Sequence, residues 1–128
     1  MPKTVIHTNA APAAVGPYSQ AIVAPAGTTI YLSGQIGLVP ATGEMISNQF
    51  EDQVKQSFAN MKSVVEAAGG RLDQIVKLNL FLTDLSQFGI ANGIMAELLP
   101  EPFPARSTVG VASLPKGAQF EVEAILVI

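Results

Sequence analysis

An α+β fold, with two helices laid over one face of a β-sheet, is what this chain predicts, and three patterns predict it. Residues 50–68 repeat their apolar positions every three or four residues, as Phe50, Val54, Phe58, Met61, Val65 and Ala68, the spacing of a helix with one buried stripe. Residues 74–82 instead alternate, with Val76, Leu78, Leu80 and Leu82 on one side and Ile75, Lys77, Asn79 and Phe81 on the other, the period of a strand. The other apolar runs are short and punctuated by proline and glycine, and they supply more strands and one more helix, for a mixed sheet of about six strands.

Each element has its own signal. Thr4 to Thr8 reads as a short strand, and Asn9 to Pro17, with Pro12, Gly16 and Pro17, as an irregular stretch. Gln20 to Ala24 and Thr28 to Ser33 are β-type runs separated by Pro25-Ala26-Gly27, the composition of a hairpin turn. After a loop from Val39 to Gly43, Ser47 or Asn48 is placed to cap the long helix, and Gly69-Gly70 to end it. Asp84 or Ser86 caps a second helix carrying Phe88, Ala91, Met95 and Leu98, which Pro100 and Pro102 stop. Ala105 to Ala112 and Gln119 to Ile128 are the closing strands, around Leu114-Pro115-Lys116-Gly117.

The last strand is the first hint of assembly. Phe120, Val122, Ala124, Leu126 and Ile128 would face the helices, yet Ile125 and Val127 lie on the opposite side, where no third helix is available. Another subunit is the expected cover. Composition agrees: the 128 residues, read as a single domain over 1–128, are 48% hydrophobic and only 13% charged, against roughly 25% charged in ordinary soluble chains.

Composition also excludes chemistry. A formal charge of −3, with no basic run and no tryptophan, leaves little from which to build a phosphate-neutralising groove, so no nucleic-acid partner is expected. Cysteine is absent and His7 is the single histidine, which removes thiol nucleophiles, thiolate metal sites and histidine clusters; no metal and no cofactor are expected. The N-terminal residues have no apolar stretch resembling a signal peptide, no segment approaches a membrane span, and the expected location is cytoplasmic.

Arg106 is the most telling side chain. It sits in Phe103-Pro104-Ala105-Arg106-Ser107 at the start of an apolar strand, and the chain has only one other arginine, Arg71. A guanidinium there needs an anion, either a carboxylate of its own fold such as Glu121 or Glu123, or a carboxylate ligand gripped by two parallel hydrogen bonds. Alternation puts Arg106, Thr108 and Gly110 on one face of their strand, and Glu121 and Glu123 on the same polar face of the next. An arginine floor and a glutamate wall at a subunit seam would bind a small carboxylate beside a water. Tyr18 can close such a pocket or pack on the sheet. Ser33-Gly34 ends a strand with a residue that admits close backbone approach, and Asn92 lies on the second helix. Ser19, Ser33 and Ser107 lack a His-Asp partner, which argues against a hydrolytic triad.

Taken together, Gly16-Pro17-Tyr18-Ser19-Gln20, Ser33-Gly34-Gln35-Ile36, Gly43-Glu44, Glu66-Ala67-Ala68-Gly69, Phe103-Pro104-Ala105-Arg106-Ser107, and Leu114-Pro115-Lys116-Gly117 leading to Glu121-Val122-Glu123-Ala124 resemble the RidA/YjgF reactive intermediate deaminase family over essentially the whole chain. The resemblance implies a chorismate-mutase-like fold, a homotrimer with a central β-barrel, and a site at each subunit interface. It implies hydrolysis of 2-imino acids to 2-keto acids and ammonia, with Arg106 clamping the carboxylate and Glu121 steering the water. Backbone groups at Gly34 and Thr108, together with Ser33, would hold the substrate, while Tyr18 and Asn92 would line the pocket. Some relatives have been described as endoribonucleases or translation inhibitors, and a carboxylate-binding or chaperone-like trimer without turnover is a third reading. The chain departs from the family pattern with Thr108 for a frequent cysteine, Asn79 for a frequent threonine, and Met95, Leu98 and Leu99 for frequent aromatics.

Overall fold

The computed structural model describes residues 2–128. The strands are β1 (Thr4–Ile6), β2 (Ala21–Val23), β3 (Thr29–Gln35), β4 (Ile75–Leu82), β5 (Ala105–Gly110) and β6 (Phe120–Val127), and the α-helices are α1 (Phe50–Ala67) and α2 (Phe88–Leu98). Six strands and two helices were expected, but the strands divide into two sheets. β1 and β2 pair antiparallel by themselves, and the other four run in the order β3-β6-β4-β5. Only the β4–β5 pair is parallel.

The expected hairpin between β2 and β3 does not form. Gly27 has an ordinary negative-φ backbone, and its value lies in its missing side chain: a Cβ there would fall 2.5 Å from the carbonyl oxygen of Ile128. The chain end passes over Gly27, exchanging two backbone hydrogen bonds with Thr28 (2.8 and 2.9 Å). β3 is thereby tied to β6 and not to β2. Likewise β5 and β6 are not neighbours, because β4 lies between them.

α1 follows its apolar period. Phe50, Val54, Phe58, Met61 and Val65 are buried, and Gly69 ends the helix at φ 84°, a conformation that glycine adopts without strain. The N-cap is Gln49, whose side chain makes no capping bond to the helix, while Ser47 accepts from the Gln49 amide and donates to Asp52. Asp84 does cap, holding the Ser86 amide at the start of a short 3₁₀ turn that leads into α2.

These helices cover one face only. Leu78, Leu80 and Leu82 of β4 and Phe120, Val122, Ala124 and Leu126 of β6 are buried beneath them, with Phe120 meeting the rings of Phe50 and Phe58. One register detail departs from simple alternation: an irregularity between Ile75 and Lys77 turns Ile75 into the core and leaves Val76 half-buried. The other face carries Tyr31, Lys77, Asn79, Phe81, Glu121, Glu123 and Ile125, away from both helices, and Tyr31 is 77% exposed. Among the described residues, no helix is long and apolar enough to cross a membrane.

Candidate functional site

Three local structures converge on Arg106. The loop at 16–19 is laid against the start of β5, because the Ser19 amide donates to the Pro104 carbonyl (3.0 Å), Ser19 bridges in parallel to Ala105, and the Ser19 hydroxyl donates to the Phe103 carbonyl. That brings Tyr18 beside Arg106. On α2, Phe88, Asn92 and Met95 are spaced to form one stripe, and the stripe lies over the same guanidinium.

The contacts define how the charge is held. Arg106 Nη1 donates to Asn92 Oδ1 at 2.6 Å and approaches Met95 Sδ at 3.8 Å. The guanidinium carbon lies 4.9 Å from the centroid of the Tyr18 ring and 5.2 Å from that of Phe88. Among the described residues, the ion pairs are Glu51–Lys55 and Arg71–Asp73, both 3.0 Å, and none involves Arg106. The reading in which Arg106 is neutralised by Glu121 or Glu123 is therefore excluded within one chain. Burial pulls its pKa down, with Tyr18 opposing that shift, but a guanidinium remains charged at any physiological pH.

A cavity of about 300 Å³ opens here, lined by Val15, Tyr18, Phe88, Asn92, Arg106 and Thr108. Gly16 borders it: a Cβ there would lie 3.7 Å from both Arg106 Nη2 and Asn92 Nδ2. The Thr108 hydroxyl oxygen is buried without a hydrogen-bond partner. Larger hollows lie elsewhere, one of about 370 Å³ around Lys3, Arg71, Asp73 and Glu101 and one of about 680 Å³ between the ends of the helices. In both, lysine and arginine share the wall with acids, whereas Arg106 is the one charged residue lining the smaller cavity.

Glu121 is not in this cavity. Arg106 and Thr108 stand in register with Leu78 and Leu80 of β4, on the helix-covered face. Glu121 and Glu123 stand in register with Phe81 and Asn79, on the open face. The expectation that arginine and glutamates share one face is corrected: β5 and β6 flank β4 instead of each other, so alternation along each does not set their relative phase. Glu121 instead meets Gly34, where a Cβ would fall 2.6 Å from its Oε2, so the glycine leaves room for a carboxylate of its own chain. Ser33 is exposed beside it. Asn79 Nδ2 donates to Glu123 Oε1 at 3.3 Å. Burial, and then the neighbouring Glu123 charge, raise the pKa of Glu121 above the usual 4.5.

The sequence-expected residues thus form two groups. Tyr18, Asn92, Arg106 and Thr108 gather at the β5 edge, and Ser33, Gly34 and Glu121 gather near the opposite edge. Phe88 and Val15 belong to the first group and were not anticipated. Phe88 fits the apolar period of α2, which hides any second role, and nothing in the sequence marks Val15.

An α+β fold with an unpaired arginine at a sheet edge and a bare opposite sheet face defines a class, and comparison identifies it: the chain belongs to the RidA/YjgF family, and the family pattern described as "Endoribonuclease L-PSP" matches residues 8–128. It is 50% identical over 127 residues to a protein of Dermatophagoides farinae named 2-iminobutanoate/2-iminopropanoate deaminase, covering 99% of this chain and 98% of the other. The human protein of the same name is 40% identical, covering 98% and 90%. Among solved structures, RidA from an Antarctic Psychrobacter superposes with a TM-score of 0.77 at 50% identity, covering 98% of this chain and 99% of that one. TdcF of E. coli, crystallised with bound serine, superposes at 0.74 and 38% identity, covering 98% of each chain.

Proposed function

We propose that this protein is a 2-iminobutanoate/2-iminopropanoate deaminase, hydrolysing reactive imino and enamine acids to 2-keto acids and ammonia. The observation that carries the reading is the state of Arg106: half-buried, oriented by two rings and a neutral amide, and without a carboxylate partner. A guanidinium so held is ready for a ligand carboxylate, which it would grip through its remaining donors. The relatives' names supply the substrate class.

The chemistry asks little of the protein. A protonated imine carbon is already electrophilic, so fixing the substrate and a water in contact supplies much of the acceleration. Glu121 would accept the water proton as oxygen adds to the imine carbon and return it to the nitrogen of the resulting carbinolamine; the C–N bond then breaks, ammonia leaves, and loss of the hydroxyl proton gives the keto acid. Backbone groups at Gly34 and Thr108, with Ser33 nearby, would hold the imine end, while Tyr18 and Asn92 wall the carboxylate end. Metal and cofactor have no part in this scheme.

Because Arg106 and Glu121 lie on opposite faces of one sheet, the complete site would form between two copies, one giving the arginine edge and its neighbour the glutamate face. A homotrimer of single-domain chains, open faces turned inward as a barrel, satisfies this and covers Tyr31 and Ile125. A cytoplasmic location completes the reading, where imines released by amino-acid dehydratases would be intercepted before they attack pyridoxal-phosphate enzymes.

The test couples a threonine dehydratase to this protein and follows keto-acid release. Wild type accelerates release, and Arg106→Ala loses about two orders of magnitude or more, the effect of removing one partner of a desolvated charge pair. Acceleration undiminished in that variant refutes the assignment.

A further inference from the structure

Phe88 sits where its ring can act on Arg106. Its centroid is 5.2 Å from the guanidinium carbon, and the ring of Tyr18 is 4.9 Å from the same atom. Asn92 Oδ1 fixes one end of the group at 2.6 Å. Aromatic faces carry partial negative charge and attract a cation lying over them, while its N–H bonds remain free to point elsewhere. An acid in the same place would hold the arginine equally well but would cancel the charge needed for a ligand. The neutral surroundings of Arg106 orient it and leave that charge unspent.

We propose that Phe88 is a positioning residue for carboxylate binding, holding the Arg106 guanidinium by a cation–π contact so that its free edge faces the cavity shared with Asn92 and Thr108. The inference rests on the deaminase reading only for its choice of ligand. It also accounts for an aromatic ring at the first position of α2, half-buried at the cavity wall when its neighbours Ala91 and Met95 are fully buried.

The decisive experiment changes the electronics of the ring while keeping its shape. Replacing Phe88 by mono-, tri- and pentafluorophenylalanine progressively removes the negative face, and binding of 2-oxobutanoate, a stable keto acid, is titrated by NMR. Affinity is expected to weaken stepwise, by about 3- to 20-fold across the series. In the coupled assay the change should appear in KM with kcat nearly constant. Phe88→Leu should resemble the most fluorinated ring, and Phe88→Tyr should restore binding. A flat fluorination series, or a Phe88→Leu variant that binds as wild type does, overturns the proposal. If wild type and Arg106→Ala bind the keto acid equally poorly, the functional reading fails and this inference with it, a result distinct from a flat series on a wild type that binds.

Discussion

Arg106 was legible from the sequence because arginine is so scarce here, and its partners were legible in part. Tyr18 lies in one of the motifs that carry the family resemblance, Asn92 entered only through what that resemblance implies, and the structure brings both to the guanidinium. Phe88 was hidden because a phenylalanine on an apolar helical stripe reads as core. The location of Glu121 was misjudged for a different reason: strand alternation fixes faces within a strand, and relating two strands requires knowing which strand separates them. The raised pKa of Glu121 gives a pH prediction. Its ionised form would accept the water proton, so the rate falls as pH drops through the pKa of Glu121, which burial and Glu123 raise in the single chain and a neighbouring copy's arginine would lower. In Glu123→Gln the neighbouring charge is gone, and the acidic limb of kcat/KM should move to lower pH, with Glu121→Gln abolishing the limb altogether. Stability has the opposite sign. Glu121 binds its proton more tightly folded than unfolded, so its contribution is present at low pH and is lost as pH rises through the raised pKa. A pH–rate profile of the two variants beside wild type checks the assignment.

At the level of elements, periodicity found both helices and the central strand, while glycine was the source of error. Gly27 looked like a turn residue and is instead a place where another chain segment passes close by. Gly37 has the same role between β3 and α1: a Cβ there would lie 2.9 Å from the Gln53 Cα and 3.1 Å from its carbonyl oxygen. The obstruction is helix backbone, which cannot swing aside as the end of a side chain can. Gln53 is also the residue that ties this part of α1 to the chain around it, donating from Nε2 to the Ser47 carbonyl and accepting from the Gln119 amide. Gly37→Ala should therefore cost about 1–3 kcal/mol by overpacking, measured as a lower urea midpoint with an unchanged slope. A neutral result would mean that α1 shifts freely on its sheet. Local patterns cannot reveal such contacts, since the two partners are 16 positions apart and neither is apolar.

For the molecule as a whole, low charge content and a final strand apolar on both sides pointed to a hidden face before any coordinates did, and the sheet does have a bare face. Tyr31 stands on it, 77% exposed and opposite Ile125. Tyr31→Asp should leave the secondary structure of the chain intact, since the residue packs under neither helix, yet a charge buried between copies would be costly. Sedimentation should then give a single-chain mass in place of the three-chain mass expected of the proposed trimer, and deaminase activity should vanish with the assembly. Retained activity in a dissociated variant would contradict a shared site. The placement of Arg106 and Glu121 on opposite faces has one more consequence for the proposed trimer. In that assembly a solitary chain would own half of two workshops and the whole of none, so newly made protein would stay idle until it met its siblings. Two inert kinds of chain, one lacking the arginine and the other the glutamate, would mend each other wherever an undamaged arginine edge meets an undamaged glutamate face.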